Sequence, residues 1–213
     1  MVVLQAESEV SAINMVYGAA STGKRVLTSS SSPGVSLMSE GFSYIAGAEL
    51  PCVDINVTRG GPGLGTIQPS QSDYFQATKG GAHGDFHLIV LAPNSVQEME
   101  KVVLADQRPR RTAEEIIAQD GDWALTGKTA DRKEHVITSL ELDPYAQERF
   151  NEKLIAKYAK IRENEVRYEE FMTEDADYII VAFGSAARIC RMTVEMAREA
   201  GYKVGLVRPI TLY

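Results

Sequence analysis

The amino-acid sequence predicts an α/β protein in which parallel β-strands alternate with covering helices. Apolar runs of strand length alternate with segments of helical periodicity over residues 1–104, and the same strand–helix–strand order returns after Asp177. This alternation is typical of parallel sheets, since each parallel connection needs a crossover helix. Ligands of such sheets bind at the carboxyl ends of the strands. We therefore expect the functional residues in the loops that follow the strands.

The first elements are predicted from their apolar patterns and their end signals. The run VVLQ predicts a strand, and Ser8 is suited to cap a helix over Glu9 to Ser21, where apolar residues recur at helical spacing. The next strand, helix and strand are predicted at RVLTSS, SLMSEGFSYIAGAE and LPCVDINVTR. The Gly/Pro-rich stretch GGPGLGTIQPSQSD then predicts a loop. HLIVLAP predicts a further strand, followed by a helix with Ser95 as its cap and Glu98 completing a capping box.

The second part of the chain is predicted to hold a connector and a new βαβ unit. Residues 144–171 predict one long helix, because four apolar side chains recur on one of its faces: Phe150, Leu154, Tyr158 and Ile161. From Asp177, DYIIVAFGS predicts a strand, AARICRMTVEMAREAG a helix that Gly201 closes, and YKVGLVRPI a second strand. The turn FGSAAR favours packing over phosphate binding, because it lacks the G-x-G-x-x-G spacing.

Charge and cysteine content exclude several classes of protein. The net charge of −7 argues against a general nucleic-acid-binding protein. No apolar run approaches the length of a membrane span, and the first residues lack the pattern of a secretory signal. Cys52 and Cys190 lie in apolar contexts and are predicted to be buried free thiols of a cytoplasmic protein. Without paired cysteine motifs, this chain is not expected to ligate a four-cysteine iron–sulfur cluster.

Two charged residues lie where the predicted sheet binds ligands. Glu9 begins a helix, so its carboxylate either offsets the exposed amide dipoles or points into a cofactor pocket. Arg59 directly follows a strand and precedes GGPGLG. Most surface arginines are solvated, but one in this place is a candidate clamp for a carboxylate through bidentate hydrogen bonds.

Several long motifs, in one order along almost the whole chain, resemble a known family. They are QAESEVSAINMVYGAA, SSSSPGVSLMSEG, ELPCVDINVTRGGPGLGTIQPSQSDYFQATKGGAHGD, LAPNSVQEM and VAFGSAARI…VGLVRPITL. With them the chain resembles the alpha subunit of 2-oxoacid:ferredoxin oxidoreductases, above all the branched-chain (2-oxoisovalerate) type. The resemblance implies a pyrimidine-type thiamine-diphosphate-binding domain at 1–104, a connector with the long helix at 105–172, and the start of a transketolase C-terminal-like domain at 173–213.

The same resemblance implies a cofactor and a role for each of the two residues. Glu9 corresponds to the family glutamate that hydrogen-bonds a ring nitrogen of the aminopyrimidine, where a carboxyl favours the imino tautomer that can accept the thiazolium C2 proton. Arg59 corresponds to the arginine that binds the substrate carboxylate. Thiamine diphosphate is expected to be shared with a beta subunit, and Mg²⁺ and iron–sulfur clusters are expected on partner subunits, with no metal on this chain.

The implied function is the coenzyme A-dependent oxidative decarboxylation of a 2-oxoacid, with electrons passed to ferredoxin through gamma- or delta-type iron–sulfur subunits. Alone, the chain is expected to be inactive. The resemblance implies that three parts of the family pattern fall outside this sequence: an initial strand with a YPITPS-like loop, a few dozen residues between Met99 and Glu100, and the end of the last domain. These departures keep two alternatives open: a non-catalytic fragment or interaction subunit, and a transketolase-like carbon-transfer protein.

Overall fold

The computed structural model describes residues 2–104, 115, 118, 123–127, 130 and 133–213. The chain divides into two compact units. Unit 1 comprises Met1–Phe86 and Arg110–Asn151, and unit 2 comprises His87–Pro109 and Glu152–Tyr213. No helix in the described residues is both long enough and apolar enough to cross a membrane.

Helices and strands alternate along most of the described chain. In order they are α1 (Glu9–Ser21), β1 (Leu27–Ser30), α2 (Pro33–Gly47), β2 (Val53–Asn56), α3 (Tyr74–Thr78), β3 (Val90–Leu91), α4 (Val96–Leu104), α5 (Pro144–Asn164), β4 (Tyr168–Phe171), β5 (Tyr178–Val181), α6 (Gly184–Glu199), β6 (Val204–Pro209) and β7 (Thr211–Leu212).

Unit 1 is built on the parallel pair β1–β2, which confirms the predicted parallel arrangement of these strands. The register aligns Leu27 with Val53 and Ser30 with Asn56, so both strands end at the same edge. Helices α1 and α2 pack against each other and supply the core of the unit. The buried members of this core are Ile13, Val16, Ala20, Met38, Ile45 and Leu50.

The contact between α1 and α2 is close because α2 has no side chain at Gly41. A Cβ at Gly41 would lie 2.4 Å from Cγ2 of Ile13, and Ile13 is only 1% exposed. Overpacking a well-filled core typically costs about 1–3 kcal/mol. Gly18, on the exposed side of α1, offers a matched comparison, because a Cβ added there would have no neighbouring atom within 4 Å.

We expect Gly41→Ala to lower the free energy of unfolding of unit 1 by about 1–3 kcal/mol, because Ile13 must move out of its packed position. Gly18→Ala should instead raise it by about 0.5–1 kcal/mol, because alanine loses less entropy in a helix. Urea unfolding followed by the fluorescence of Trp123, which packs against this core, measures both changes. Equal effects of the two substitutions would contradict the close contact at Gly41.

Unit 2 contains a three-stranded sheet in the order β4–β6–β5. Strands β5 and β6 are parallel and are joined by α6, which confirms the predicted βαβ unit. Strand β4 pairs with β6 in the antiparallel sense. Helix α6 packs on β6, and the buried side chains here include Ala187 and Val194 of α6 and Leu206 of β6.

A buried arginine ties α4 to this sheet. Arg208 on β6 is 3% exposed, and its guanidinium donates to both carboxylate oxygens of Glu98 on α4, at 2.5 and 2.6 Å. It also donates at 2.7 Å to Glu169, its cross-strand partner on β4. As predicted, Ser95 caps α4 by accepting the Glu98 N–H at 3.1 Å. The Glu98 carboxylate accepts the N–H of Asn94, one residue before the predicted partner.

Two of the predicted strands are wrong in extent or pairing. Residues 2–5 form no strand, and Val2 and Val3 are 86% and 76% exposed, because no neighbouring strand pairs with them among the described residues. Of the strand predicted at HLIVLAP, only Val90–Leu91 form a strand, β3, and β3 has no parallel partner among the described strands. It pairs with β7 in the antiparallel sense, Val90 opposite Leu212. A short apolar run therefore predicts neither burial nor a neighbouring strand unless a partner strand is in place.

The helix predicted over residues 144–171 ends earlier, at Asn164. In the last turn of α5, the Asn164 side chain donates to the carbonyl of Lys160 at 2.8 Å. The residues that follow, EVRYEEF, alternate β-branched or aromatic side chains with charged ones, which favours β4. The predicted apolar face of the helix is confirmed: Leu154 and Tyr158 are buried, and the other two members are half-buried.

The two cysteines are free thiols, as predicted, but both are half-buried and not fully buried. Burial raises the pKa of the Cys52 thiol, and the nearby carboxylate of Asp54 adds to this effect. Since the thiolate is the reactive form, Cys52 is a weak nucleophile at neutral pH.

Candidate functional site

The candidate site lies at the turn that joins β1 to α2, residues 30–34. Here the carboxyl end of β1 meets the carboxyl end of β2, because the two strands are parallel and in register. The N–H of Val57, just past β2, donates to the carbonyl of Ser30 at 2.9 Å. This is the edge of the sheet where the sequence predicts ligand binding, and both predicted site residues lie beside it.

Glu9 reaches this turn from the first residue of α1. A Cβ at Gly34 would lie 2.9 Å from Oε1 of Glu9 and 2.1 Å from Oγ of Ser30. The carboxyl group of Glu9 therefore lies against the first turn of α2, and the residue is half-buried. Ser8 occupies the cap position of α1, as predicted, but its side chain makes no capping hydrogen bond.

Arg59 is attached to the same turn through its backbone. Its N–H donates at 2.9 Å to the hydroxyl of Ser32, and that hydroxyl donates in turn to the carboxylate of Asp73 at 2.5 Å. An isolated antiparallel bridge pairs Arg59 with Pro69 across the Gly/Pro-rich loop. The N–H of Ser32 donates to the side chain of Asn56, the last residue of β2, at 3.1 Å. These bonds hold Arg59 at the edge of the sheet.

One guanidinium nitrogen of Arg59 is unsatisfied. Its Nε atom is buried and has no hydrogen-bond partner among the residues that the structure describes. A buried guanidinium nitrogen that stays unpaired costs free energy. An anionic ligand with two oxygens, such as a carboxylate, is the chemical group that satisfies it best.

The polar residues that support Arg59, namely Ser32 and Asp73, have no signal in the sequence. Ser32 precedes a proline at the start of a helix, so its sequence position indicates a helix cap and nothing more. Asp73 lies in a loop 41 positions later, and no periodicity connects the two.

Asp54 on β2 is a further polar group that the sequence does not single out. Burial raises the pKa of its carboxyl to about 6, and the hydrogen bond from the N–H of Ile55 lowers this pKa by a smaller amount. Its neighbours in the sequence identify it only as a strand residue.

A polar cavity lies in unit 2, but its one arginine is occupied by internal contacts. The cavity has a volume of about 490 Å³ and an acidic lining with a single arginine, Arg198. That arginine is bound to Asp175 at 2.8 Å and to two backbone carbonyls. Within the described residues no group of three or more His, Cys, Asp or Glu side chains is placed to hold a metal ion.

Comparison with protein families gives two matches along the chain. Residues 1–109 match the family described as pyruvate flavodoxin/ferredoxin oxidoreductase, thiamine diphosphate-binding. Residues 176–213 match the pyruvate:ferredoxin oxidoreductase core domain II. The first match contains the candidate site.

Curated relatives are named as subunits of a ketoisovalerate oxidoreductase and of a 2-oxoglutarate synthase. The ketoisovalerate oxidoreductase subunit VorB of Methanothermobacter marburgensis is 49% identical over 99% of this chain and 66% of its own length. The 2-oxoglutarate synthase subunit KorA of Methanocaldococcus jannaschii is 32% identical over 99% of this chain and 70% of its own length. The chain thus spans about two thirds of the length of these relatives. The two alignments run over 234 and 257 positions, so both relatives contain residues that this 213-residue chain lacks.

A solved structure is similar over nearly the whole of this chain. It is the 2-oxoglutarate:ferredoxin oxidoreductase from Magnetococcus marinus with 2-oxoglutarate, coenzyme A and succinyl-CoA bound. The TM-score is 0.78 and the sequence identity is 26%, over 99% of this chain and 46% of that chain. The resemblance predicted from the sequence motifs is confirmed, together with the α/β fold class. This chain belongs to the thiamine-diphosphate-binding family of pyruvate flavodoxin/ferredoxin oxidoreductases.

Proposed function

We propose that this chain is the alpha-type subunit of a 2-oxoacid:ferredoxin oxidoreductase. The complex would catalyse the coenzyme A-dependent oxidative decarboxylation of a 2-oxoacid and pass the electrons to ferredoxin. One observation carries the proposal: at the carboxyl edge of the parallel pair β1–β2, the carboxyl of Glu9 packs against Gly34, and the N–H of Arg59 donates to Ser32 of the same turn. A branched-chain 2-oxoacid is the proposed substrate, because identity to the ketoisovalerate oxidoreductase subunit exceeds that to the 2-oxoglutarate synthase subunit, 49% against 32%.

Glu9 is the proposed partner of the aminopyrimidine ring of thiamine diphosphate. When bound, this cofactor supplies a carbon that attacks the 2-oxoacid and holds the electron pair left by decarboxylation. The residues present fit it: the Glu9 carboxyl is half-buried at the carboxyl edge of the sheet, where it packs against Gly34. Glu9 would hold a proton on the ring nitrogen and thereby set the basicity of the amino group of the same ring.

Arg59 is the proposed clamp for the carboxylate of the 2-oxoacid. Its unpaired Nε and its place beside the Gly/Pro-rich loop suit a bidentate pair with a carboxylate. The charge-assisted hydrogen bonds would orient the substrate carbonyl and favour acids over aldehydes.

The remaining parts of the site are proposed to come from partner subunits. A beta subunit would supply the contacts to the diphosphate and Mg²⁺, and iron–sulfur subunits would carry the electrons to ferredoxin. A cytoplasmic location, with free thiols kept reduced, belongs to the same proposal.

The proposal is tested by isolating the complex under anaerobic conditions through an affinity tag on this chain. We expect brown, iron-containing partner subunits and a coenzyme A-dependent reduction of ferredoxin by 2-oxoacids. Among 3-methyl-2-oxobutanoate, 2-oxoglutarate and pyruvate, the branched acid should give the highest kcat/KM. A colourless preparation that transfers two-carbon units between sugars would instead support the transketolase-like alternative. A chain that retains no partner and no thiamine-dependent activity would support a non-catalytic role.

A further inference from the structure

We propose that Ser32 is a positioning residue for substrate binding, which acts by fixing the backbone of Arg59 through a hydrogen-bond relay that ends on Asp73. The inference rests on the proposed function, since it concerns the arginine that is proposed to bind the 2-oxoacid carboxylate. It assigns a role to two residues that do not themselves touch the substrate.

The relay has a defined direction. An ionised Asp73 can only accept hydrogen bonds, so the single proton of the Ser32 hydroxyl is directed to it, at 2.5 Å. The lone pairs of the same oxygen are then available to the N–H of Arg59, 2.9 Å away. The carboxylate thus sets the orientation of the hydroxyl, and the hydroxyl holds the backbone from which the guanidinium extends.

Ser32 maintains this arrangement at a cost in backbone energy. Its φ angle of +22° lies where residues other than glycine are rare, and serine is not among the side chains that tolerate this region well. Strained residues persist where the surrounding structure holds them, and they concentrate at functional sites. Here the N–H of Ser32 is held by Asn56 at 3.1 Å, and the whole residue is 9% exposed.

Helix capping does not explain this serine. Ser32 occupies the cap position of α2, yet its side chain makes no capping hydrogen bond. A hydroxyl in this position would ordinarily accept an N–H from the first turn of the helix. Its bonding capacity is directed to Arg59 and Asp73, which lie outside the helix.

The matched pair Ser32→Gly and Ser32→Ala separates this role from a purely structural one. Both variants remove the hydroxyl, but glycine also relieves the strain at positive φ. In the complex isolated through this chain, we expect both to raise KM for the 2-oxoacid about 10-fold, with kcat changed less than about twofold and KM for coenzyme A unchanged. Arg59→Ala should raise the same KM about 10–100-fold, and adding Ser32→Gly to it should raise KM no further.

Two controls keep the outcomes distinct. Proton exchange at C2 of bound thiamine diphosphate needs no 2-oxoacid and should remain at the unsubstituted rate in both serine variants. If these variants fail to assemble, Asp73→Ala tests the same relay and should raise KM about as much. The inference would be overturned if KM for the 2-oxoacid were unchanged in an active Ser32→Gly or Asp73→Ala complex. It would also be overturned if Ser32→Gly raised this KM further when combined with Arg59→Ala. An unsubstituted complex that oxidises no 2-oxoacid would overturn the proposed function itself.

Discussion

Glu9→Gln is expected to lower the turnover of the assembled complex by about 10²–10⁴-fold, the range typical of a lost general acid or base. Glutamine has nearly the same shape and fills the same space beside Gly34, so the fold of unit 1 should be unaffected. Its amide, however, cannot exchange a proton with the pyrimidine ring nitrogen. Initial rates of ferredoxin reduction with saturating 2-oxoacid and coenzyme A measure the effect.

Glu7→Gln provides the matched control for this variant. Glu7 lies two positions before Glu9 and is exposed, so its replacement changes the net charge equally at a place away from the turn. Turnover should stay within about twofold of the unsubstituted complex, as expected for an exposed surface group. If both glutamines lowered turnover to the same degree, the loss would be a general effect of charge and Glu9 would have no special role.

Arg208→Met should lower the free energy of unfolding of unit 2 by about 3 kcal/mol, because removing one member of a buried ion pair leaves the other charge without compensation. The arginine is 3% exposed and forms pairs with Glu98 and Glu169. Hydrogen exchange of the β4 and β6 amides at increasing urea concentration, followed by mass spectrometry, measures the change in the unit concerned.

The exposed pair Arg167–Glu165 supplies the control. Its N···O distance of 2.7 Å equals that of Arg208 to Glu169, but the Arg167 side chain is 56% exposed. Arg167→Met should therefore change the free energy by no more than about 1 kcal/mol. Arg208→Met combined with Glu98→Gln should recover most of the loss, because the half-buried carboxylate of Glu98 is no longer left unpaired. A double variant as unstable as the single one would show that packing, and not charge, stabilises the sheet here.

The pair also predicts a pH dependence. Burial of Glu98 by itself raises the pKa of its carboxyl, but hydrogen bonds from Arg208 and Asn94 outweigh burial and lower it. A carboxyl whose pKa is lowered on folding stabilises the protein above its unfolded pKa, and this contribution disappears as the pH falls through the folded pKa. The destabilisation by Arg208→Met should therefore be full at pH 7 and should shrink below about pH 4.

Local patterns in the sequence predicted most of the helices and the parallel pairs. Helix α1, the strands β1 and β2, and the β5–α6–β6 unit each combine a clear period with end signals, such as Gly201 after α6. The antiparallel pairs β3–β7 and β4–β6 are not predicted, because the partner strands are far apart in the sequence. The residues of β4 are predicted as part of the preceding helix, because charged residues are frequent in both segments.

The candidate site also has one part that the sequence predicts and one part that it does not. Glu9 and Arg59 are predicted as site residues because each is a charged residue at the boundary of a predicted element. The relay from Arg59 through Ser32 to Asp73 joins residues 27 and 41 positions apart. Such contacts depend on how the loop after β2 folds back onto the turn before α2, and no local pattern encodes them.

The most direct test of this account is the rate of C2 proton exchange of thiamine diphosphate bound to the isolated complex, followed by quenched-flow NMR in deuterium oxide. It isolates the role of Glu9 from substrate binding and from electron transfer, because neither takes part. We expect exchange in the Glu9→Gln complex to be slower by about 10²-fold or more, with Glu7→Gln, Ser32→Gly and Arg59→Ala close to the unsubstituted rate. Equal exchange rates in the Glu9→Gln and unsubstituted complexes, both loaded with cofactor, would contradict the assignment of Glu9 as the activating carboxyl.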